Sequence, residues 1–455
     1  MEKNGIVSVE IDDLAYGGLG VGRVEGMVVF VEKALPGERV AVRILKKKSN
    51  HAQGIIHEIE RPSPWRIEHP PCPLFGTCGG CTWQNFPYDQ QLIWKEKQVA
   101  ATLKHLGGQE NFTLLPIIGS PKTWRYRNKM EYTFGTNGVG EVILGFHYPG
   151  HYDRTFEVPA CLIQPEPFDA MLGILTDYAR AQELSAYDPR THKGFLRHAV
   201  MRHSFTTGES ILILLTDQGD LPAHKDLAER LGREVAGFKG MLWGTNSGVA
   251  DVARIERERW RWGEPELIET VNGLTFTISP QSFFQTNTPG AELLYAKATE
   301  MAELGPKDCV LDAYCGAGTI GMHCARQAGR VVGIEAVKEA IWDARANAAR
   351  NRIDNTTFIC APLAHGLDLA EHATGRGAFT RVIIDPPRGG MDKRSLAGLL
   401  ALRAPLFLYI SCNPATLARD LQTICETGYK VDAVQPVDMF PHTYHVETLV
   451  RLRLG

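Results

Sequence analysis

The sequence predicts a multidomain chain: a small β-barrel over residues 1–60, a central α+β domain over 61–270 with a cysteine-rich insertion, and a doubly wound, Rossmann-like α/β domain over 271–455. Three observations carry this division. Short strands punctuated by Gly and Pro turns fill the first stretch; Cys72, Cys78 and Cys81 crowd into one short loop; and from Cys309 onward strand and helix patterns alternate. At 455 residues the chain exceeds what a single hydrophobic core supports, so more than one domain is required.

Composition narrows the function classes. The longest apolar runs, such as Ile211-Leu-Ile-Leu-Leu215, are strand-sized and fall short of the roughly 20 residues of a membrane helix. Met1-Glu-Lys-Asn-Gly5 leads into a polar, acidic stretch without the apolar segment of a secretory signal, so a cytoplasmic location and no membrane partner are expected. In that compartment ten cysteines point to metal binding, catalysis or burial rather than to disulfides. A net charge of −3 means that any nucleic-acid surface must be local.

The barrel follows from Ile6-Val-Ser-Val-Glu-Ile11, Gly17-Gly-Leu-Gly20, Met27-Val-Val-Phe-Val31, Pro36-Gly37, Arg39-Val-Ala-Val-Arg-Ile-Leu45 and Gly54-Ile-Ile-His-Glu-Ile59. Lys46-Lys-Lys48, beside Arg43, sets a compact positive charge at one end of it. Beyond the hinge Arg61-Pro-Ser-Pro64 lies Cys72-Pro-Leu-Phe-Gly-Thr-Cys78-Gly-Gly-Cys81. Glycines permit tight turns there, so the three thiols can converge on one metal centre, with Cys161 as the nearest later cysteine to complete it. One Cys-x-x-Cys plus two outliers suits a cubane iron-sulfur cluster better than zinc, whose commoner spacing is two separated pairs. Residues 88–106 read as a helix with Leu92, Ile93, Val99, Leu103 and Leu106 on an apolar stripe, closed by Gly107-Gly108. Two strips, Lys122-Thr-Trp-Arg-Tyr-Arg-Asn-Lys129 and Lys193-Gly-Phe-Leu-Arg-His-Ala-Val-Met-Arg-His203, interleave cations with apolar groups as a phosphate-gripping, base-stacking edge would.

In the last domain, strands at 309–313, 330–334 and 381–385 alternate with helices from about Thr319 and over 338–351, giving a parallel sheet. The first strand runs into Asp312-Ala-Tyr-Cys-Gly-Ala-Gly318 and the second ends at Glu335, an acidic residue placed to bind both ribose hydroxyls of a nucleoside. The third glycine of a dinucleotide fingerprint is missing, which favours a nucleoside without a pyrophosphate, and S-adenosylmethionine is such a cofactor. Asp385-Pro-Pro-Arg388 holds its aspartate at a stiff strand end. The run Leu406-Phe-Leu-Tyr-Ile410 stops at Ser411-Cys-Asn-Pro414, which sets Cys412 just past a buried strand, at the edge where ligands bind in open α/β sheets. Taken alone Cys412 reads as an inert buried thiol; its company of acidic residues at the same edge, with Glu447 in Phe440-Pro-His-Thr-Tyr-His-Val-Glu447, changes that reading.

With these residues assembled, the chain resembles the RNA uracil-5-methyltransferase family over nearly its whole length, and its N-terminal barrel resembles the TRAM domain, an OB-like RNA-binding module. The resemblance rests on Gly18-Leu-Gly20 and Ala34-Leu-Pro-Gly37, Cys72, Cys78, Cys81 and Cys161, Ser282-Phe-Phe-Gln285, Asp312-Ala-Tyr-Cys-Gly-Ala-Gly-Thr319, Asp385-Pro-Pro-Arg388, Ser411-Cys-Asn-Pro414 and His445-Val-Glu447. It implies S-adenosylmethionine contacts from Gln285, Tyr314, Glu335 and Asp385, a nucleophile at Cys412, a general base at Glu447 and a [4Fe-4S] cluster on the four cysteines. Bacterial relatives with both barrel and cluster mostly act on large-subunit (23S) ribosomal RNA and others on the T-loop of transfer RNA, so RNA is the expected partner of a monomeric enzyme. The chemistry independently gives a thiol and a carboxylate work to do, because uracil C5 is too weak a nucleophile until a thiolate adds at C6 and its proton must afterwards be removed. The competing readings are methylation of an exocyclic nitrogen, which has no use for Cys412 or Glu447, and a non-catalytic RNA-binding or RNA-folding protein.

Overall fold

The computed structural model describes residues 2–455, which form two compact units, each discontinuous in sequence. Unit one takes the residues up to 123 with 386–391 and 409–455, and unit two takes 124–385 with 392–408.

Unit one begins with a closed barrel of β1 (Ile6–Leu14), β2 (Gly20–Val24), β3 (Met27–Glu32), β4 (Arg39–Lys47) and β5 (His51–Arg61), in the order β1-β2-β3-β5-β4. The period-two pattern explains it: Val9, Ile11, Val29, Val31, Val40, Val42 and Ile44 fill the interior while their charged neighbours face out. Gly22 is required where strands cross, since a Cβ there would lie 2.1 Å from the Glu10 carbonyl oxygen. Lys46, Lys47 and Lys48 stand exposed at the β4–β5 turn, as expected. Helix α1 (Tyr88–His105) and the short strand β6 (Thr113–Leu114) follow.

Unit two opens with β7 (Lys129–Thr136), β8 (Val142–His147), β9 (Thr155–Glu157), α2 (Glu166–Ala181), β10 (Leu196–His203), β11 (Ser210–Thr216), α3 (His224–Glu234), β12 (Phe238–Thr245) and β13 (Arg257–Gly263). Its strands make a seven-stranded sheet in the order β13-β12-β11-β10-β7-β8-β9. The hairpin β14 (Leu267–Val271) and β15 (Leu274–Ile278) and helix α4 (Thr288–Ala302) lead into β16 (Cys309–Ala313), α5 (Thr319–Ala325), β17 (Arg330–Glu335), α6 (Lys338–Arg350), β18 (Thr356–Cys360), α7 (Leu363–Thr374), β19 (Arg381–Ile384) and α8 (Lys393–Ala401). Strands β18-β17-β16-β19 lie side by side in that order, all parallel, joined through the helices that parallel pairing requires as crossovers.

The fully buried strand β20 (Leu406–Ser411) carries the chain from unit two into unit one. There α9 (Pro414–Glu426), β21 (Tyr429–Val437) and β22 (Glu447–Leu454) complete the strand order β20-β22-β21-β6. Among the described residues no helix is long and apolar enough to cross a membrane.

Two expectations are corrected. Helix α1 does not bury the stripe its apolar residues suggested: Ile93 and Leu106 are exposed, and the face turned inward carries Gln91, Lys95 and Gln98 beside Trp94, Val99 and Leu103. Polar residues face inward because each meets a specific hydrogen-bond partner. The second cationic strip is largely internal, and the first is internal in part, with Lys122 exposed and Arg125, Arg127 and Lys129 half-buried. Tyr126 is fully buried, and Arg125 donates to the carbonyls of Cys161 and Gln164 and to Asp169. Arg197, buried, donates to the carbonyls of Asn246, Gly248 and Ala250, and buried Arg202 donates to that of Ser282. These cations neutralise loop carbonyls that burial would otherwise leave unpaired.

Candidate active site

The carboxyl ends of adjacent parallel strands bring three of the expected residues of unit two to one level. Ala313 of β16 is in register with Ile334 of β17 and Ile384 of β19, so Tyr314, Glu335 and Asp385 each come next along aligned strands. After β16 the chain turns sharply, with Tyr314, Gly316 and Gly318 all in the left-handed region at φ 65°, 53° and 75°. Gly318 is required twice over, since a Cβ would also press to 2.9 Å from the Phe358 ring. The turn exposes amides: Gly316 N–H donates to Glu335 Oε2 at 3.2 Å, while Ala336 and Val337 N–H donate to Oε1 at 2.7 and 2.9 Å. Glu335 is thus clamped by main chain in one orientation with its remaining lone pairs available. Cys315, by contrast, is buried against Gly333, where a Cβ would fall 2.8 Å from its Sγ, and burial pushes its thiol pKa well up. It is a packing thiol.

Charge accumulates at this edge. Asp312, fully buried, accepts the Gly321 N–H at 2.8 Å, and its pKa is pushed up to about 8 by burial first, then by Asp385 and Glu335. Asp385 keeps part of its surface open, yet its carboxyl is crowded enough that burial pushes its pKa up to about 7. Clustered carboxyls at raised pKa favour a cationic ligand. Gln285 belongs to the segment entering α4, and Asn128 holds that segment: its side chain donates to the carbonyl of Gln285 at 2.9 Å and to Thr288 Oγ1 at 2.8 Å. Asn128, in a strip read as RNA-facing, thus serves the loop of Gln285.

Cys412 and Glu447 belong to unit one. Half-buried Cys412 sits between the end of β20 and Asn413, whose side chain caps α9 by accepting the Ala415 N–H at 3.1 Å. Ser411 Oγ bridges the main chain of Asn413, accepting its N–H and donating to its carbonyl, both at 3.1 Å. Pro414 occupies the first helical turn, and Asn413 before it is extended. Glu447, buried, opens β22 opposite Val437. The loop between them is secured from α1. Lys95 Nζ donates to Asp438 Oδ1 at 2.7 Å with both side chains wholly buried, and to the Phe440 carbonyl at 3.1 Å. Burial lowers the Lys95 pKa, an effect that Asp438 opposes. Gln91 accepts the His442 N–H at 2.8 Å and meets its Nδ1 at 3.2 Å. Burial, then the Lys95 charge, lowers His442 to about 4, so it is a neutral structural group at physiological pH. None of these supports was visible in the sequence, although the 91, 95, 98 spacing lays all three polar residues on one helix face.

In the cysteine loop, Cys78 Sγ accepts the Gly80 N–H at 3.3 Å and feels the charge of Cys72, while burial raises its pKa. In unit two, the Cys161 N–H is held by Asp169 at 3.0 Å. Among the described residues no three or more His, Cys, Asp or Glu side chains are grouped so as to hold a metal ion.

Comparison with known proteins completes the picture. The family model for tRNA (Uracil-5-)-methyltransferase matches residues 220–454, and that for the TRAM domain matches residues 2–56. An uncharacterized RNA methyltransferase of Halalkalibacterium halodurans is 38% identical over 454 residues, covering 100% of this chain and 98% of the relative. One from Caldanaerobacter subterraneus is 39% identical over 449 residues, covering 98% of each. Among solved structures, the tRNA (uracil-54, C5)-methyltransferase of Pyrococcus abyssi, bound to S-adenosyl-L-homocysteine, is similar with a TM-score of 0.77 and 26% identity, covering 98% of this chain and 100% of its own. Fold and relatives alike define an S-adenosylmethionine-dependent RNA methyltransferase. More narrowly, the chain belongs to the tRNA (uracil-5-)-methyltransferase family and carries an N-terminal TRAM barrel.

Proposed function

We propose that the protein methylates C5 of uridine in 23S ribosomal RNA through a covalent adduct, with Cys412 as nucleophile and Glu447 as general base. What supports this reading is that unit one holds both a half-buried thiol on a stiff strand-to-helix turn after β20 and a buried carboxylate at the head of β22, its neighbour in the sheet. S-adenosylmethionine supplies the methyl group, and Gln285, Tyr314, Glu335 and Asp385 bind it. Cys412 thiolate adds to uracil C6, and the C5–C6 π electrons move onto the C4 oxygen as an enolate. The enolate returns its electron pair through C5, which bonds the methyl carbon as the sulfonium C–S bond breaks. Glu447 then takes the C5 proton, and the C–H electrons re-form C5=C6 while expelling the thiolate. The target base leaves its stack to reach such a site.

Ribosomal RNA is favoured because barrel and cysteine loop occur together. The full-length likeness to an enzyme whose name specifies uracil-54 of tRNA supports the second reading, a transfer RNA T-loop. Nucleoside mass mapping of ribosomal and transfer RNA from cells with and without the protein separates them. The three-part division at residues 1–60, 61–270 and 271–455 is retained as the functional one, with the barrel gripping RNA.

The donor chemistry of Cys72, Cys78, Cys81 and Cys161, with a glycine N–H already turned to one sulfur, suits a [4Fe-4S] cluster in a structural role. Anaerobic purification is expected to yield iron and labile sulfide; stoichiometric zinc would refute the assignment.

The nucleophile and base fail differently when replaced. Cys412→Ala is expected to bind RNA and cofactor yet form no bond to the base. Glu447→Gln is expected to accumulate a protein–RNA adduct that survives denaturing electrophoresis, as is wild-type enzyme on 5-fluorouridine RNA. Peptide mapping must place the linkage on Cys412; no adduct under either condition would return the exocyclic-nitrogen chemistry to first place.

A further inference from the structure

We propose that Tyr16, on the barrel loop between β1 and β2, is a positioning residue for methyl transfer: its hydroxyl donates to the main-chain carbonyl of Cys412 at 3.2 Å and so sets the segment that presents the thiol. The inference rests on the reading of Cys412 as nucleophile. Residues flanking Cys412 are fixed locally, by the Ser411 bridge and the Asn413 cap, whereas this hold on its own carbonyl comes from 396 positions away.

The arrangement around Tyr16 is built rather than incidental. Its ring meets that of Tyr444 edge-on, with centroids 5.3 Å apart and planes at 86°, and Tyr444 lies three residues before Glu447. Burial, reinforced by Tyr444, Cys412 and Glu447, holds its hydroxyl far above the usual tyrosine range, so it remains a donor throughout the working pH. The loop that carries it is clamped in turn. Gln98 donates to the carbonyls of Leu14 and Ala15 at 2.9 and 3.1 Å, and Trp83 Nε1 donates to that of Gly18 at 3.4 Å. Gln98 stands on the same face of α1 as Lys95 and Gln91, which hold the loop before Glu447. One helix therefore fixes both the barrel loop that touches the nucleophile and the loop that delivers the base. Misplacement of a reacting atom by about 1 Å can cost on the order of 100-fold in rate, so a single hydrogen bond to the nucleophile's backbone has leverage on turnover.

Tyr16→Phe removes the hydroxyl and keeps the ring. In the full-length enzyme, with rates normalised to S-adenosylmethionine-binding sites so that unfolded protein is not counted, kcat is expected to fall roughly three- to tenfold, the worth of one neutral hydrogen bond. The KM for RNA and the cofactor Kd are expected to stay within about twofold, since neither phosphate nor nucleoside contacts change. The single-turnover rate of adduct formation on 5-fluorouridine RNA should fall by the same factor as kcat, which a merely structural hydroxyl would not produce. A variant with wild-type kcat and adduct rate, or one that loses only RNA affinity, overturns the inference while leaving the nucleophile in place. Absence of a wild-type adduct at Cys412 overturns the nucleophile assignment and this inference with it.

Discussion

In unit two, Glu335 is oriented by three main-chain amides from its own strand end and the neighbouring glycine turn. In unit one, the loop before Glu447 is oriented by side chains of one distant helix, Lys95 on Asp438 and Gln91 on His442. The first kind of support needs only the right backbone path and tolerates change in surrounding side chains. The second depends on particular pairs, one of them an ion pair taken wholly out of water. Unit one should therefore be the more fragile to substitution, and unit two the more sensitive to changes in its own charge.

The largest effect expected is at the buried pair. Lys95→Ala strands the Asp438 carboxylate and should lower unfolding free energy by about 3–5 kcal/mol, measured by denaturant titration. Replacing both, as Lys95→Met with Asp438→Leu, should recover part of that loss, because an apolar pair has no desolvation cost. A cost below about 1 kcal/mol for the single change would erase the contrast between the units. Next in size, Glu335→Ala should weaken S-adenosylmethionine binding by about 1.5–3 kcal/mol through loss of charge-assisted hydrogen bonds to the ribose. Unchanged affinity by calorimetry would move the nucleoside elsewhere. The smallest effect is on pH dependence. With its pKa pushed up to about 7, Asp385 is neutral below that pH and anionic above it, and the cofactor's positive charge favours the anion. Affinity should then rise as pH climbs through about 7, by at most tenfold per pH unit, and Asp385→Asn should flatten the rise. A slope of opposite sign would remove Asp385 from the cofactor's surroundings.

The two units were also unequally legible. The strand, glycine turn and acidic strand end of unit two announce themselves within short windows, because main-chain support is local: the path from Asp312 to Thr319 and the placement of Glu335 follow from which residues tolerate left-handed φ and which close a parallel strand. Helix α1 was located correctly but its inward face was misjudged. Binary patterning assumes that polar residues face water, and the partners that reverse this for Gln91 and Lys95 come from residues 438–442, invisible to any local window. The second cationic strip misled for the same reason, and the first in part, since the carbonyls that Arg197 and Arg125 satisfy are contributed by remote loops. Tyr16, ahead of Gly17 and Gly18, had nothing in its neighbourhood to distinguish it from any loop tyrosine.

The hydrogen bond from Tyr16 to Cys412, spanning 396 positions, also bears on how the chain is made. A ribosome delivers the barrel well before Cys412, Glu447 and strands β20 to β22, so unit one stays unfinished until β22 has emerged. Closing so long a loop costs only a few kcal/mol more than closing a short one, so order of synthesis rather than chain entropy sets this delay. Until then the polar face of α1, with Lys95 lacking Asp438, has no dry interior to enter and stays hydrated. A nascent chain thus presents its barrel before it possesses Cys412 and Glu447, and unit one can close only once β20 to β22 have been made.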